Sequence, residues 1–389
     1  MRRVAVTGFG MIDACGNNPI TCFENVLSNE DFAKPISDFY ILPEHFSDKA
    51  KADACRSPIG LAPNEDWITI SDAHRTKYMP RYMRYGIHAV EQALEMSGVK
   101  ITPNVGVFIS NITHNENEYQ DTMRGRISPL KAVNIPHDAL CGYISQHYKY
   151  IGQNMSFQAA CATGLATIDY AMKVIDQYDY VIAGGADAGI NEIDIALFSF
   201  LRALGTQSKP FAEDRDGFIM GEGAGCVVLE RPHSAISRGA TIYGYIHKPS
   251  LGSDGSAGNI VEPASIGITK TMQRSAEKYK EALAFVSAHA TSTPAGDVIE
   301  YDAIKEVVGD VPVTAFKSKL GHTLGACSII EIIYTLMALR NKTIPKSHNI
   351  DETLLNNVVL ENSHTTKKFA LKNSLGFGGK CASVIIEAV

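Results

Sequence analysis

A chain of 389 residues with 45% hydrophobic and 20% charged residues has the make-up of a globular protein large enough for two or three structural units, which excludes fibrous and disordered classes. Its formal net charge of -6 argues against nucleic acid as the main partner. The eight cysteines fall without CxxC pairs or close histidine spacing, so neither a zinc site nor a disulfide scaffold is indicated.

The start, Met1-Arg2-Arg3 followed by Val4-Ala-Val-Thr-Gly8, reads as a buried strand, because Thr7, Gly8 and Gly10 break the apolar run that a secretory leader needs. No apolar stretch reaches the roughly 20 residues that cross a bilayer, so a cytoplasmic protein with reduced thiols and no membrane partner is expected. Tyr82 to Met96 has helical apolar spacing, and Asn104 to Ser110 is a second buried strand. The polar segment from Asn111 to Arg126 predicts a loop or surface helix. Small residues crowd Cys161, and Leu165, Ile168 and Met172 recur at helical spacing after it, which puts the cysteine at a turn opening a helix. Tyr180 to Ala186 is a further strand.

Gly221, Gly223 and Gly225 imitate a dinucleotide fingerprint, but they precede the strand Cys226 to Leu229, whereas a nucleotide loop follows a strand and opens a helix. Tight turns beside a closely approached site are the better expectation. A second α/β run follows: a strand near Thr241 to Ile246, a helix around Ile268 to Phe285, strands at Ala284 to Ser287 and Val313 to Phe316, a helix from Ser328 to Leu339, and closing strands near Phe369 to Leu371 and Ala382 to Glu387. This alternation predicts α/β layers with internal parallel sheet, in two similar halves, 1–235 and 236–389, with a pocket between them.

Four stretches carry the chemistry. At a helix N-terminus, unpaired amides and the macrodipole favour a thiolate, so Cys161 is expected to ionise below the usual value of about 8.5 and to act as a nucleophile. The competing reading is a small buried hydrophobe. His289 lies in a loop rich in hydroxyls, Ala288 to Asp297. His322 sits before a helix, with Lys317 five positions earlier and Glu331 beyond; a helix N-terminus should keep this imidazole neutral. Lys317 and Glu331 are expected to form a buried pair that fixes the histidines, and Lys319 a solvated surface charge. The turn Asn373 to Gly379 can aim a backbone N–H at a substrate carbonyl oxygen, completing an oxyanion hole with the amide of Cys161, although a plain hairpin would look the same.

Ala160-Cys161-Ala-Thr-Gly164, Asp214-Arg-Asp-Gly-Phe218 leading into Gly221-Glu-Gly-Ala-Gly225, His289-Ala-Thr-Ser-Thr-Pro-Ala-Gly-Asp297, Lys317-Ser-Lys-Leu-Gly-His322 and Asn373-Ser-Leu-Gly-Phe-Gly-Gly379 together resemble the elongating β-ketoacyl-acyl carrier protein synthases of the Cys-His-His type, over nearly the whole chain. The resemblance implies a thiolase-like five-layer αβαβα sandwich built from two pseudo-symmetric halves. It implies an obligate dimer, either a homodimer or a heterodimer with a related ketosynthase or chain-length-factor subunit, and an acyl carrier protein as partner. The implied reaction is a decarboxylative Claisen condensation: Cys161 takes the acyl group, the Cys161 and Phe377 amides hold the oxyanion, and His289 and His322 stabilise the enolate left when malonyl loses carbon dioxide. Lys317 and Glu331 would orient these groups, Thr291 and Thr293 would bind the pantetheine amides, Phe377 and Leu375 would line the substrate pocket, and Asp297 and the turn around Asp216 would support them. No metal and no resident cofactor is implied, since phosphopantetheine enters with the carrier.

Leu375 replaces the usual phenylalanine, Lys380-Cys381 the usual Thr-Asn, and Ala290 a glycine, which points to a specialised type II pathway such as aryl polyene or polyketide assembly instead of ordinary fatty acid elongation. Carrier proteins are acidic, so Arg124, Arg126, Arg202 and Lys209 are candidates for the docking surface. A catalytically silent, chain-length-setting subunit is the alternative from another class, disfavoured because Cys161 and both histidines are present. A thiolase using Cys381 as a second cysteine base is a third and weaker reading.

Overall fold

Strands buried on both faces read as unbroken apolar runs, and this chain builds its centre from such strands. The computed structural model describes residues 3–36, 59–68, 70, 79–113, 125, 129–255, 264–353 and 355–389. Its eleven-stranded sheet comprises β1 (Arg3–Asp13), β2 (Val105–Ser110), β3 (Asn154–Met155), β4 (Tyr180–Ala188), β5 (Glu222–Glu230), β6 (Gly244–His247), β7 (Ser250–Ser253), β8 (Leu283–Ser287), β9 (Val313–Thr314), β10 (Phe369–Gly376) and β11 (Lys380–Ala388). The order is β9-β8-β10-β11-β6-β1-β5-β4-β2-β3, with β7 beside β11.

Each half repeats one pattern. In the first, β2 runs parallel to β3 and β4, and β5 is antiparallel to β4 and β1. In the second, β8 runs parallel to β9 and β10, and β11 is antiparallel to β10 and β6. The halves meet where Arg3–Val6 of β1 pairs with Gly244–His247 of β6.

Helix α1 (Arg81–Ser97) covers the first half from outside, packing on β1, β4 and β5 and accompanied by α2 (Ala139–Tyr148) on β2. Helices α3 (Thr163–Val174) and, after the short α4 (Glu192–Phe200), α5 (Ser265–Ala276) and α6 (Pro294–Val308) follow in the chain. Of these, α5 and α6 cover the second half from outside. Between the two halves lie α3 and α7 (Cys327–Arg340). Every residue of α7 from Cys327 to Leu339 is buried, as expected of a helix enclosed between two strand layers. The result is the five-layer thiolase-like sandwich. No helix among the described residues is long and apolar enough to cross a membrane.

Several boundaries differ from the sequence reading for tertiary reasons. The helix around Ile268 ends at Ala276, not near Phe285, because Leu283–Ser287 is drawn into pairing with β9 and β10. Gly223 and Gly225 lie inside β5 instead of in a turn before it. Phe316 leaves the strand begun at Val313 to start a short helix at Lys317–Leu320. Residues 114–124 and 126 of the segment expected as a loop or surface helix lie outside the described residues.

Candidate active site

Ala160 adopts a left-handed backbone with φ of 47°, which turns the chain sharply just before Cys161. Thr163 locks this turn, accepting from the Ala159 amide at 2.8 Å and donating to the Ala160 carbonyl at 2.6 Å. Two hydroxyls from the other half, Ser328 Oγ at 2.9 Å and Ser374 Oγ at 2.8 Å, donate to the Cys161 carbonyl. The end of β10 presses on the same turn: a Cβ added at Gly376 would stand 2.9 Å from both Ala160 Cβ and Cys161 N. The nucleophile is thus held across the interface of the two halves. Its acidity departs from expectation. Burial pushes the Cys161 thiol up, with Cys327 adding to the effect and Lys317 opposing it, so desolvation outweighs the helix N-terminus.

His289 follows β8, and its loop is anchored by a carboxylate that the sequence reading missed. Glu300 of α6 accepts the His289 and Ala290 amides, both at 2.7 Å, and is itself 1% exposed. Ala290 takes a φ of 37°, strained for a residue with a Cβ. His322 is placed by backbone pairing with the glycine segment: its N–H donates to Ile219 O at 2.7 Å, and Gly221 N–H donates to His322 O at 3.0 Å. The close approach expected at those glycines is therefore real at Gly221.

The three groups converge. His322 Nε2 lies 3.0 Å from Cys161 Sγ, the two imidazole rings stand 5.4 Å apart at 82°, and one donor atom from each of Cys161, His289 and His322 lies within 4.8 Å of the others. Burial holds both imidazoles well below their usual range, and Lys317 and Lys372 push in the same direction. Both rings are neutral, as expected for His322, but the cause is burial; the ring precedes α7 by five residues and does not sit on its first turn.

Beneath the histidines, Lys317 Nζ reaches Glu331 Oε1 at 2.6 Å and His289 Nδ1 at 3.3 Å, with Lys317 and Glu331 each 1% exposed. An ammonium only donates, so His289 Nδ1 accepts and its proton sits on Nε2, facing the pocket. His322 Nδ1 has no hydrogen-bond partner among the described residues, so no contact fixes its tautomer. A second lysine joins the carboxylate: Lys372 Nζ lies 2.5 Å from Glu331 Oε2. Its only sequence signal was a lysine in the otherwise strand-like Phe369-Ala-Leu-Lys372. Lys319, expected as a surface charge, is buried, donates to the carbonyls of Ser28 and Glu30 and lies over the Phe32 ring.

A cleft of about 70 Å³, open at its mouth, is lined by the triad together with Thr291, Thr293, Leu375, Phe377, Asp297 and Glu300. Thr291 and Thr293 share a 3.1 Å hydrogen bond, and Phe377 lies against Phe198, their ring centroids 6.4 Å apart. Asp297 accepts the Phe211 and Ser292 amides, and burial raises it to about 7. Asp216 binds Thr206 through its amide and hydroxyl. Of the docking candidates, Arg202 is exposed, whereas the Lys209 side chain is 12% exposed and paired with Asp214 at 2.6 Å; Arg124 and Arg126 lie outside the described residues. One thiol and two imidazoles could in principle ligate a soft cation, but two buried ammonium groups beside them oppose a second positive charge.

Comparison with known proteins sets this geometry in context. Residues 1–235 match the model of the beta-ketoacyl synthase N-terminal domain, and residues 243–351 match that of the beta-ketoacyl synthase C-terminal domain. The chain belongs to the beta-ketoacyl synthase family. It is 31% identical to 3-oxoacyl-[acyl-carrier-protein] synthase 2 of Rhizobium meliloti (strain 1021), covering 100% of this chain and 99% of that protein, and 33% identical to the synthase of the same name from Staphylococcus aureus (strain COL), covering 99% and 98%. Among solved structures it resembles a beta-ketoacyl synthase from Burkholderia phymatum STM815, with TM-score 0.89 and 26% identity over 100% of both chains. It also resembles the ishigamide ketosynthase/chain length factor, with TM-score 0.86 and 27% identity over 100% and 99%. In this beta-ketoacyl synthase, Cys161 lies in the first matched region and both histidines, Lys317 and Glu331 in the second, while Lys372, Leu375 and Phe377 come from beyond residue 351.

Proposed function

We infer that the protein is a 3-oxoacyl-acyl carrier protein synthase of a type II system, joining an acyl group carried on Cys161 to the two-carbon unit left when a malonyl thioester loses carbon dioxide. The observation that carries this reading is the meeting of one buried thiol with two neutral imidazoles in a cleft. In the loading step the sulfur attacks the acyl thioester, and the bare Nε2 tautomer of His322 takes the thiol proton and returns it to the departing pantetheine sulfur. The amides of Cys161 and Phe377 would hold the tetrahedral oxyanion. Between the steps His322 gives up its Nδ1 proton and takes one at Nε2 by exchange with water in the cleft; the malonyl C–C bond then breaks, carbon dioxide departs, and the electron pair left behind forms an enolate whose oxygen accepts from His289 Nε2–H and His322 Nε2–H. That carbanion attacks the acyl-Cys161 carbonyl and expels Cys161 as a thiolate, which takes up from water the one proton that decarboxylation consumes and so returns to the thiol.

Thr291 and Thr293 are placed to bind the pantetheine arm, which enters with its carrier, and the reaction needs no resident cofactor. An acidic carrier would meet Arg202 at the surface, with Lys209 less available because Asp214 neutralises it. A dimer is supported by the sheet edge at β3, which has no further strand beside it among the described residues and where Met155 and the nearby Ile151 are exposed apolar side chains. Leu375 in the cleft supports the specialised polyene or polyketide reading over ordinary fatty acid elongation.

Mass spectrometry of the protein incubated with acyl- and malonyl-carriers tests the reaction. An acyl adduct on Cys161 followed by a 3-oxoacyl product is expected, and normal elongation by Cys161→Ala would refute the assignment. Faster turnover of saturated than of conjugated acyl carriers would refute the specialised pathway. Native mass spectrometry after co-expression with a related silent subunit separates homodimer from heterodimer.

A further inference from the structure

Successive residues of a strand face opposite sides, and β10 uses this to split its side chains. Leu371 and Leu375 join the apolar cluster with Ile268 and Met272 of α5 and Ile304 of α6, and Asn373 reaches Met272 and Glu300 on the same side. Ala370, Lys372 and Ser374 face α7. On α7, Ser328 and Glu331 are one turn apart, and the two pairs match: Ser374 meets Ser328 at 2.8 Å and Lys372 meets Glu331 at 2.5 Å.

Lys317 alone would neutralise Glu331. A second ammonium, 0% exposed, is nevertheless kept there, cradled also by the carbonyls of Asn373 and Ala288. Burying a charge that has no counter-charge of its own is costly, so a surplus cation in a packed core calls for a use. Glu331 Oε2 accepts no hydrogen bond among the described residues, and its charge is met by the ion-pair contact with Lys372. The groups that face Lys372 are Glu331 and Cys327 from α7, Lys317, the two imidazoles, and Glu300 through Asn373.

We propose that Lys372 is a positioning residue for the condensation half-reaction: it holds the second oxygen of Glu331, and through Glu331 and Lys317 it fixes His289, while its charge adds to the positive field where the enolate develops. The proposal rests on the condensation reading given above. It follows that the two half-reactions depend on Lys372 unequally, because its contacts lead through Glu331 and Lys317 to His289, whereas the acyl-transfer oxyanion is assigned to the Cys161 and Phe377 amides, which Lys372 does not touch.

The test compares wild type with Lys372→Met, which removes the charge, Lys372→Gln, which keeps a donor for the carbonyls, and Lys372→Arg, which keeps the charge. Three readouts are taken on each folded variant: acyl loading of Cys161, release of carbon dioxide from malonyl-carrier, and nitrogen-15 NMR titration of the imidazoles. The Met and Gln variants are expected to lose about tenfold in decarboxylation, as for loss of an outer partner that orients a reacting group, and to load within about twofold of wild type. Their imidazoles should titrate at higher pH, because one neighbouring cation is gone, and the Arg variant should recover part of both effects. Unchanged imidazole titration and decarboxylation in the charge-free variants would overturn the proposal, as would equal loss of loading and decarboxylation without a titration shift. A wild type that loads and condenses nothing would sink the functional reading instead, and the titration would still score Lys372.

Discussion

Strands β4 and β10 hold the same place in their halves, each parallel to one neighbour and antiparallel to the other, and both face α7, yet their chemistry is opposite. Around β4 the helix packs on glycine backbone: a Cβ at Gly185 would stand 3.0 Å from Ala326 Cα, and one at Gly225 of neighbouring β5 would stand 3.0 Å from Ile329 Cγ2, while the buried Asp187 at the end of β4 accepts the Ala326 amide just before the helix begins. Around β10 the space is filled by Lys372 and Ser374. One half lets the helix approach and serves as scaffold; the other leaves room for long polar side chains and serves as machinery. The nucleophile belongs to the scaffold half but is gripped by hydroxyls of the other. A duplicated topology therefore does not duplicate the chemistry; the gap between helix and strand decides where polar groups can be buried.

The comparison is broken most severely by removing the one reactive atom that the scaffold half supplies. Cys161→Ala should lower acyl transfer by about 10³-fold or more, read by mass spectrometry of the loaded protein. From the machinery half, His322→Ala should cost about 10²- to 10³-fold in malonyl decarboxylation, followed by carbon dioxide release. Gly376→Ala tests the seam, since its new Cβ must displace the nucleophile turn; loading is expected to fall about 10²-fold while the variant remains folded by circular dichroism.

Two smaller effects sharpen the picture. His322 stays neutral in the folded state, whereas the unfolded chain takes up a proton below about 6.5, so this group contributes no pH dependence above that value and destabilises as pH falls below it. The stability gap between wild type and His322→Gln should therefore shrink by about 1 kcal/mol between pH 6.5 and 5.5, measured by urea unfolding. Ala290→Gly relieves the left-handed strain beside His289 and should add about 1 kcal/mol in the same assay.

Local pattern alone announced the layered α/β architecture, the helix after Cys161 and the long buried strands, because apolar periodicity and small-residue turns are properties of short segments. The motifs around Cys161, His289, Lys317 and His322 marked the groups that meet in the cleft for the same reason: each reaches the site from a turn next to a strand or helix. Lys372, Glu300, the hydroxyls of Ser328 and Ser374 and the buried state of Lys319 were not legible, since their partners lie far along the chain and only packing brings them together. The thiol's acidity was misjudged on similar grounds. A helix N-terminus can be read from sequence, but the degree to which water is excluded from Cys161 depends on both halves closing around it, and that closure exists only in the folded molecule.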